Sequence, residues 1–261
     1  GCMDIVCGTS QMLGINMPEN FRQPFFSRSI SEFWRRWHIT LGQWLKDYIF
    51  YPVTMSKPMK NLTSSARKKL GNHFGPLLAG SIALFCVWII NGLWHGSAWN
   101  FIFFGMYHFA LILLGNICEP LVRAINTKLR INPESKPYKA MQIIRTCILV
   151  CIGEMFFRAN GLRGGFSMLK RLFTSFGFKA SGALIFDLGF DTGDLIITVA
   201  TLLIVLGVSI ANEKGISVRE KLAGTKPVVR WAVLYALIMF IVIFGAYGIG
   251  YVPVDPIYAN F

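Results

Sequence analysis

Residues 70–118 read LGNHFGPLLAGSIALFCVWIINGLWHGSAWNFIFFGMYHFALILLGNIC and contain no Asp, Glu, Lys or Arg. Because one transmembrane helix needs roughly 20 apolar residues, this stretch has room for two of them. Further apolar runs occupy residues 195–212 and 231–254, and another, near residues 140–157, is interrupted by Arg145. The pattern predicts an all-α, polytopic transmembrane helical bundle with five spans.

The composition agrees with a membrane protein. Of the 261 residues, 54% are hydrophobic and 15% are charged, whereas soluble domains average about 25% charged residues. The net charge of +13 would also suit a nucleic-acid-binding protein, but the cations are dispersed through loops between the apolar runs. That distribution is typical of the positive-inside rule, so we reject nucleic acid as a partner.

The charge of the loops also predicts an orientation. Residues 57–69 carry five cations and no acid, and the segments 119–139 and 213–230 are also basic. In contrast, Asp187, Asp191 and Asp194 precede the run at 195–212. We expect the basic loops on the cytoplasmic side of the membrane and the acidic segment on the opposite side.

The first residues indicate how the chain is organised. There is no initiator Met, no basic n-region and no cleavage site, so residues 1–15 are not a signal peptide. They read as the end of an apolar helix that is already under way. We therefore expect further helices before Gly1, and residues 1–261 to form the C-terminal portion of one larger membrane domain.

A surface helix is predicted before the first span. Ser29 and Glu32 form an S-x-x-E capping box, which marks a helix start. Apolar residues at three- and four-residue spacing predict one helix to about Phe50, ended by Pro52. Its tryptophans and flanking arginines are typical of an amphipathic helix at the membrane interface. The predicted apolar stripe consists of Phe33, Trp34, Trp37, Leu41, Trp44, Leu45 and Tyr48.

Loops and a turn are expected between the spans. Residues 57–69 and 119–139 are polar and are predicted as loops, and residues 160–194 are rich in glycine with an amphipathic piece near 166–176. The segment 91–98 reads NGLWHGSA, which predicts a broken or tightly turned helix. Irregular backbone at membrane depth is tolerated only where protein buries it or where it lines a wet cavity.

Three of the four histidines lie in apolar surroundings, while His73 lies in a basic segment and receives no role. A polar group within a membrane is costly, so it is a functional candidate by default; the alternative is a histidine hydrogen-bonded between helices. His95 is the strongest candidate because it adjoins Trp94 within the glycine-flanked break. His38 lies on the apolar stripe, and His108 is interpreted as a packing residue. A neutral imidazole suits proton abstraction.

The absent motifs narrow the function classes. The sequence contains no HExxH, P-loop or GxSxG motif, and its six cysteines form no zinc-type cluster, so no metal is expected. It also has no pair of carboxylates within a span and no internal repeat, which argues against an ion-coupled transporter. A transporter or flippase for an envelope precursor nevertheless remains the main alternative to an enzyme, followed by a scaffold subunit of an export complex.

Two histidine motifs carry a family resemblance. NFRQPFF at residues 20–26, SEFWRRWHITL at 31–41 and NGLWHG at 91–96 resemble the signature of the bacterial membrane-bound O-acyltransferase family. Within it, the sequence resembles the branch of the alginate O-acetyltransferase membrane subunit, and the teichoic acid D-alanyl transfer protein is a near relative. Weaker matches are FFRA at 156–159 and IYANF at 257–261. After Tyr51 and Pro52 the sequence VTMSKP departs from the expected Gly-Gly-Asn-Arg loop, which puts alginate in doubt as the acceptor.

The resemblance implies a site. His95 would be the catalytic residue in a tunnel through the membrane, acting as general base on an acceptor hydroxyl. His38 would be a second essential group that binds the developing oxyanion or orients the acceptor. Trp37 and Trp94 would wall the tunnel and exclude water.

Two further residues complete the implied binding site. Arg36, next to Arg35, would hold lipid headgroups or an anionic donor, with simple anchoring at the interface as the alternative. Asn91 would donate a hydrogen bond in the cavity or only bridge two helices.

The resemblance also implies partners and a location. The donor would be an acyl thioester on the cytoplasmic side, either acetyl-CoA or an acyl carrier protein, and no bound cofactor is expected. The acceptor would be the hydroxyls of an extracytoplasmic envelope polysaccharide or its carrier. A soluble extracytoplasmic acyltransferase is a further expected partner. The protein would be a multi-pass protein of the bacterial cytoplasmic membrane.

Overall fold

The computed structural model describes residues 2–175 and 191–245, and most of these form helices. Residues 13–29 are mostly irregular and contain a short 3-10 helix, Pro24–Phe26. Residues 176–190 and 246–261, which include Asp187 and the IYANF match, lie outside the described residues. The α-helices, in chain order, are α1 (Cys2–Met12), α2 (Ile30–Arg36), α3 (Ile39–Leu45), α4 (Tyr51–Met55), α5 (Lys57–His95), α6 (Trp99–Lys128), α7 (Lys136–Arg158), α8 (Gly161–Thr174), α9 (Thr192–Glu213), α10 (Val218–Ala223) and α11 (Pro227–Phe244).

Five of these helices are long and apolar enough to cross a membrane: α5, α6, α7, α9 and α11. The prediction of an all-α polytopic protein is therefore confirmed. The turn predicted within residues 91–98 is present, because α5 ends at His95 and α6 begins at Trp99. The amphipathic piece predicted near residues 166–176 is part of α8.

The chain divides into two compact units. The first, Gly1–Phe176, contains α1 to α8, and the second, Gly177–Phe261, contains α9 to α11. The first unit has a core in which α2, α5, α6 and α7 meet. The buried side chains of that core are Ile30, Phe33, Trp88, Ile112 and Val150. In the second unit, α9 and α11 have no buried residues, so their apolar side chains face outward.

The prediction of a single helix from Ser29 to about Phe50 is wrong beyond the start of that helix. Ser29 Oγ accepts a hydrogen bond from Glu32 N at 3.1 Å, and the Glu32 carboxylate accepts one from Arg28 N at 2.9 Å. The helix then stops at Arg36, resumes as α3 at Ile39 and continues through a π-helical turn, Lys46–Phe50. The interruption falls at His38, whose φ of 49° lies in the left-handed region.

Pro52 was predicted to end a helix, but it lies in the first turn of α4. Its fixed φ is compatible with the helical backbone that continues from Lys46–Phe50 into α4. The two segments predicted as loops are also largely helical. Residues 57–69 form the start of α5, and α6 continues to Lys128. Their exposed Lys and Arg side chains are good helix formers, so polarity alone does not predict a loop.

Helix α5 contains a sharp break at Gly71, where φ is 79° and ψ is −177°. Beyond it the chain packs against its own preceding turns, since a Cβ on Gly75 would collide with the backbone of Arg67 and lie 2.9 Å from the Ala66 carbonyl carbon. Residues eight apart in an unbroken helix would be about 12 Å apart along the axis. The basic first part of α5 is therefore folded back on the apolar part.

We expect Gly75→Ala to destabilise the protein by about 1–3 kcal/mol, because a backbone contact cannot yield as a side chain can. The measurement is thermal inactivation of the detergent-solubilised full-length protein, followed by fluorescence-detected size-exclusion chromatography. Gly80→Ala is the matched control, since Gly80 lies in the same helix with open space around its Cβ position. Equal stability of the two variants would contradict the folded-back arrangement.

Candidate active site

His95 is the last residue of α5, and the backbone geometry after it holds it there. Gly96 has φ of 145° and donates its N–H to Leu93 O at 3.1 Å. A Cβ on Gly96 would lie 2.8 Å from the Phe101 ring. Glycine is therefore required by both the backbone conformation and the available space. The short turn places the His95 side chain where α5 and α6 meet.

The two helices approach each other at two further glycines. A Cβ on Gly92 would lie 2.7 Å from Phe101 O, and a Cβ on Gly105 would collide with Trp88 O. Only glycine permits such a close approach between helix backbones. The crossing brings the first turns of α6 against the end of α5, and so places aromatic rings on His95.

His95 is 5% exposed and is surrounded by aromatic rings. Trp94 and Phe157 are the nearest, with ring centroids 4.7 and 4.9 Å from the imidazole, followed by Phe104 at 5.9 Å and Phe101 at 6.5 Å. Such an environment excludes most water from the ring. The partly exposed Trp94 side chain, at 48%, borders the site on its open side.

Phe157 comes from α7, and polar contacts between α6 and α7 hold it in place. Asn100 Nδ2 donates to Phe157 O at 3.3 Å, and Tyr107 Oη donates to Leu149 O at 2.9 Å. Asn100 is buried, so its hydrogen bond is shielded from water. These contacts join α6 side chains to the α7 backbone, which carries Phe157. Neither Asn100 nor Tyr107 was singled out from the sequence.

His38 lies at the break between α2 and α3, and its ring reaches the same tryptophan as His95. The His38 and Trp94 ring centroids are 5.6 Å apart with an interplanar angle of 83°. Trp94 therefore contacts both histidines. Burial lowers the pKa of His38 below its ordinary value, although its backbone hydrogen bond raises it. Its imidazole is accordingly neutral at pH 7.

Asn91 lies one turn before His95 on α5, so both side chains lie on one helix face. It is 5% exposed, and its Oδ1 accepts no hydrogen bond from the part of the chain that the structure describes. A buried polar atom of this kind usually has a partner. The Asn91 side chain can thus bind a polar group that enters the site.

Trp37 and Arg36 are placed differently from Trp94 and Asn91. The Trp37 ring stacks on Phe33, with centroids 5.4 Å apart and an interplanar angle of 18°. Arg36 Nη2 is 2.7 Å from Glu32 Oε1, and its Nη1 donates to Gln23 O at 3.4 Å. Both side chains thus pack around the turn that contains His38.

His108 is completely buried on α6. Trp34 Nε1 donates to its Nδ1 at 3.2 Å, and the ring stacks on Trp88 at 5.6 Å. Since Nδ1 accepts a hydrogen bond, the neutral ring carries its proton on Nε2. That atom faces Gly153, where a Cβ would lie 2.6 Å away. The contacts of His108 are those of a residue that ties α2 to α6 and α7.

No cluster of three His, Cys, Asp or Glu side chains suited to a metal ion occurs within residues 2–175 and 191–245. The arrangement around His95 consists instead of a neutral base, aromatic walls and a buried amide. This set can remove a proton from a bound hydroxyl while excluding water.

Comparison with known proteins assigns a family. Residues 1–67, which include His38, match the model of MBOAT, the membrane-bound O-acyltransferase family. An Azotobacter vinelandii protein named "Probable alginate O-acetylase AlgI" is 33% identical over 177 residues, covering 68% of this chain and 30% of that protein. The Bacillus subtilis teichoic acid D-alanyltransferase is 32% identical over 154 residues, covering 58% of this chain and 34% of that protein.

The name of a third relative gives a different acceptor, peptidoglycan. The peptidoglycan O-acetyltransferase of Helicobacter pylori is 30% identical over 170 residues, covering 65% of this chain and 28% of that protein. The chain therefore spans about a third of the length of the curated relatives that it matches. The family match and the three relatives agree with each other and with the helical membrane fold. This chain belongs to the membrane-bound O-acyltransferase family.

Proposed function

We propose that the protein transfers a short acyl group from a thioester to a hydroxyl of a cell-envelope polymer, with His95 as the general base. The observation that carries this proposal is the position of His95. It is a buried imidazole at the end of a membrane-spanning helix. The half-exposed Trp94 ring contacts both this imidazole and that of a second histidine, His38. The names of the relatives supply the reaction class.

The proposed reaction has two steps. His95 removes the proton of the acceptor hydroxyl as that oxygen attacks the thioester carbonyl carbon, which forms a C–O bond and a tetrahedral oxyanion. The oxyanion then collapses, the C–S bond breaks, and the departing thiolate takes the proton from the His95 imidazolium. The products are an O-acyl ester and a free thiol, and the imidazole returns to its neutral form.

The residues around His95 have supporting roles in this proposal. His38 donates a hydrogen bond to the oxyanion or orients the acceptor, since its neutral imidazole has both a donor and an acceptor nitrogen. Asn91 binds the acceptor near His95, because its buried Oδ1 has no protein donor among the described residues. Trp94 excludes water and so limits hydrolysis of the thioester.

Trp37 and Arg36 are proposed for the periphery of the site. Arg36 keeps 22% of its side chain exposed while it pairs with Glu32, so its charge can still attract an anionic donor. Trp37 packs on Phe33 of α2, beside the turn that contains His38. Neither side chain takes part in the proton transfer.

The proposed donor and acceptor follow from what the names of the relatives have in common. Alginate, teichoic acid and peptidoglycan in the names of the relatives are all envelope polymers with acylated oxygens. We therefore propose an extracytoplasmic polymer or its carrier as acceptor, and acetyl-CoA or an acyl carrier protein as donor. A multi-pass protein with this task would lie in the bacterial cytoplasmic membrane, where a soluble extracytoplasmic acyltransferase could receive the product.

The decisive experiment compares the full-length gene with its His95→Ala variant in its own host, at equal membrane expression. Envelope polymers are purified, and the acetate and D-alanine released by alkali are quantified. We expect one of the two esters to disappear in the variant, which would also name the acyl group. Unchanged amounts of both would refute the catalytic assignment and favour transport of an envelope precursor.

A further inference from the structure

The backbone at His38 adopts a conformation that a histidine rarely takes. Its φ and ψ are 49° and 52°, in the left-handed region, while Trp37 before it is extended. For a residue with a Cβ this conformation is unfavourable and persists only where the surroundings impose it. The His38 side chain therefore depends on whatever holds the turn between α2 and α3.

Asn20 makes three hydrogen bonds to the residues just after His38. Its backbone oxygen accepts from Ile39 N at 2.9 Å. Its side-chain Oδ1 accepts from Thr40 N at 3.1 Å and from Thr40 Oγ1 at 3.0 Å. Asn20 thus satisfies N–H groups in the first turn of α3 that have no intrahelical acceptor. It is 9% exposed, so these bonds are shielded from water.

The neighbouring residues hold the other side of the turn. Arg22 N donates to Arg36 O at 2.9 Å, and Phe21 and Trp37 form an isolated antiparallel bridge. The Phe21 ring also lies 6.1 Å from the His38 ring, between centroids. The segment 20–22 therefore runs alongside residues 36–40 and fixes the backbone both before and after His38.

We propose that Asn20 is a positioning residue that, through its side-chain bonds to Thr40, holds the His38 imidazole against Trp94. The inference rests on the proposed acyl transfer, in which His38 acts beside His95. Since Oδ1 is already engaged by Thr40, Asn20 works through the turn and touches no substrate. Replacement of Asn20 leaves the His38 side chain chemically unchanged but displaces the His38 ring from the reacting groups.

The test measures the initial rate at which envelope polymer gains the acyl ester in host membranes that contain equal amounts of the full-length protein. Asn20→Ala removes the side-chain acceptor, and Thr40→Val removes only the hydroxyl while keeping the backbone N–H. Thr40→Ser restores the hydroxyl. Thr63→Val is the matched control for the loss of a threonine hydroxyl, because among the described residues Thr63 Oγ1 bonds only Met59 O, within α5.

We expect Asn20→Ala to lower the rate by up to about 10²-fold, as a misplacement of catalytic groups by about 1 Å can do. Thr40→Val should lower it less, and Thr40→Ser and Thr63→Val should stay close to wild type. In a double-mutant cycle, Asn20→Ala should cause no further loss once His38 is already alanine. A merely structural role would instead give additive losses.

A second readout does not require activity. The rate at which diethyl pyrocarbonate modifies His38, measured by mass spectrometry relative to His73, should change in Asn20→Ala and Thr40→Val and stay unchanged in Thr63→Val. A full transfer rate for Asn20→Ala beside a defective His38→Ala would overturn the positioning role and leave the acyl transfer intact. Full rates for both His38→Ala and His95→Ala would overturn the acyl transfer, and the positioning role with it.

Discussion

Membranes that contain the His95→Ala variant should form acyl ester about 10²–10⁴ times more slowly than wild-type membranes, the contribution of a positioned general base. The alanine leaves the acceptor hydroxyl with its proton. The aromatic side chains around His95 cannot take over, because Trp94 and its phenylalanine neighbours have no basic atom.

The control for this prediction is His73→Ala. His73 is exposed, and its Nε2 contacts Asn116 O at 3.0 Å, so the variant removes an imidazole from the membrane protein without changing the site. Ester formation should be measured as an initial rate, normalised to protein extracted in folded form. Equal losses in the two variants would show that the effect of His95→Ala is one of folding rather than of chemistry.

Gly105→Ala should push α5 and α6 apart where they cross and thereby lower both the stability of the fold and the transfer rate. The new Cβ would meet Trp88 O and lie 3.4 Å from Gly92 N, so backbone rather than side chain would have to move. Overpacking of this kind costs about 1–3 kcal/mol and sometimes more. Since Trp88 also belongs to the core of the first unit, the displacement would reach α2 as well.

Gly115→Ala is the matched control in the same helix, because its Cβ would meet nothing within 4 Å. There the change should be neutral or stabilising, since alanine favours a helix over glycine by about 1 kcal/mol. The measurement is the fraction of full-length protein that remains monodisperse in detergent after heating, together with its transfer rate. A Gly105→Ala variant as stable as Gly115→Ala would show that the helices are not in backbone contact at this point.

The elements that could be predicted from the sequence are those fixed by local composition. The five spans follow from apolar length, and the turn after His95 follows from Gly96, whose backbone conformation other residues resist. The start of α2 follows from the Ser29 cap. Each of these depends on residues within a few positions of the feature.

The elements that were missed depend on distant partners. The interruption at His38 is stabilised by Asn20, which reaches Thr40 from the preceding segment, and no spacing rule reveals such a pair. The helical stripe in residues 33–48 was misread for the same reason. Likewise, Phe157 meets His95 only because α7 packs on α6 through Asn100. Tertiary contacts override local periodicity at these positions.

The break at Gly71 has a consequence for how this chain can evolve. A straight helix of the 39 residues in α5 would be about 58 Å long, well beyond the roughly 40–45 Å of a whole bilayer. The break frees the basic part from that constraint, but Ala66 and Arg67 pack against Gly75, so only the residues before Ala66 can change in number. Between Gly71 and His95, however, one inserted residue would rotate the imidazole by about 100° around the helix axis. Insertions and deletions should therefore accumulate before Ala66 and be purged after it.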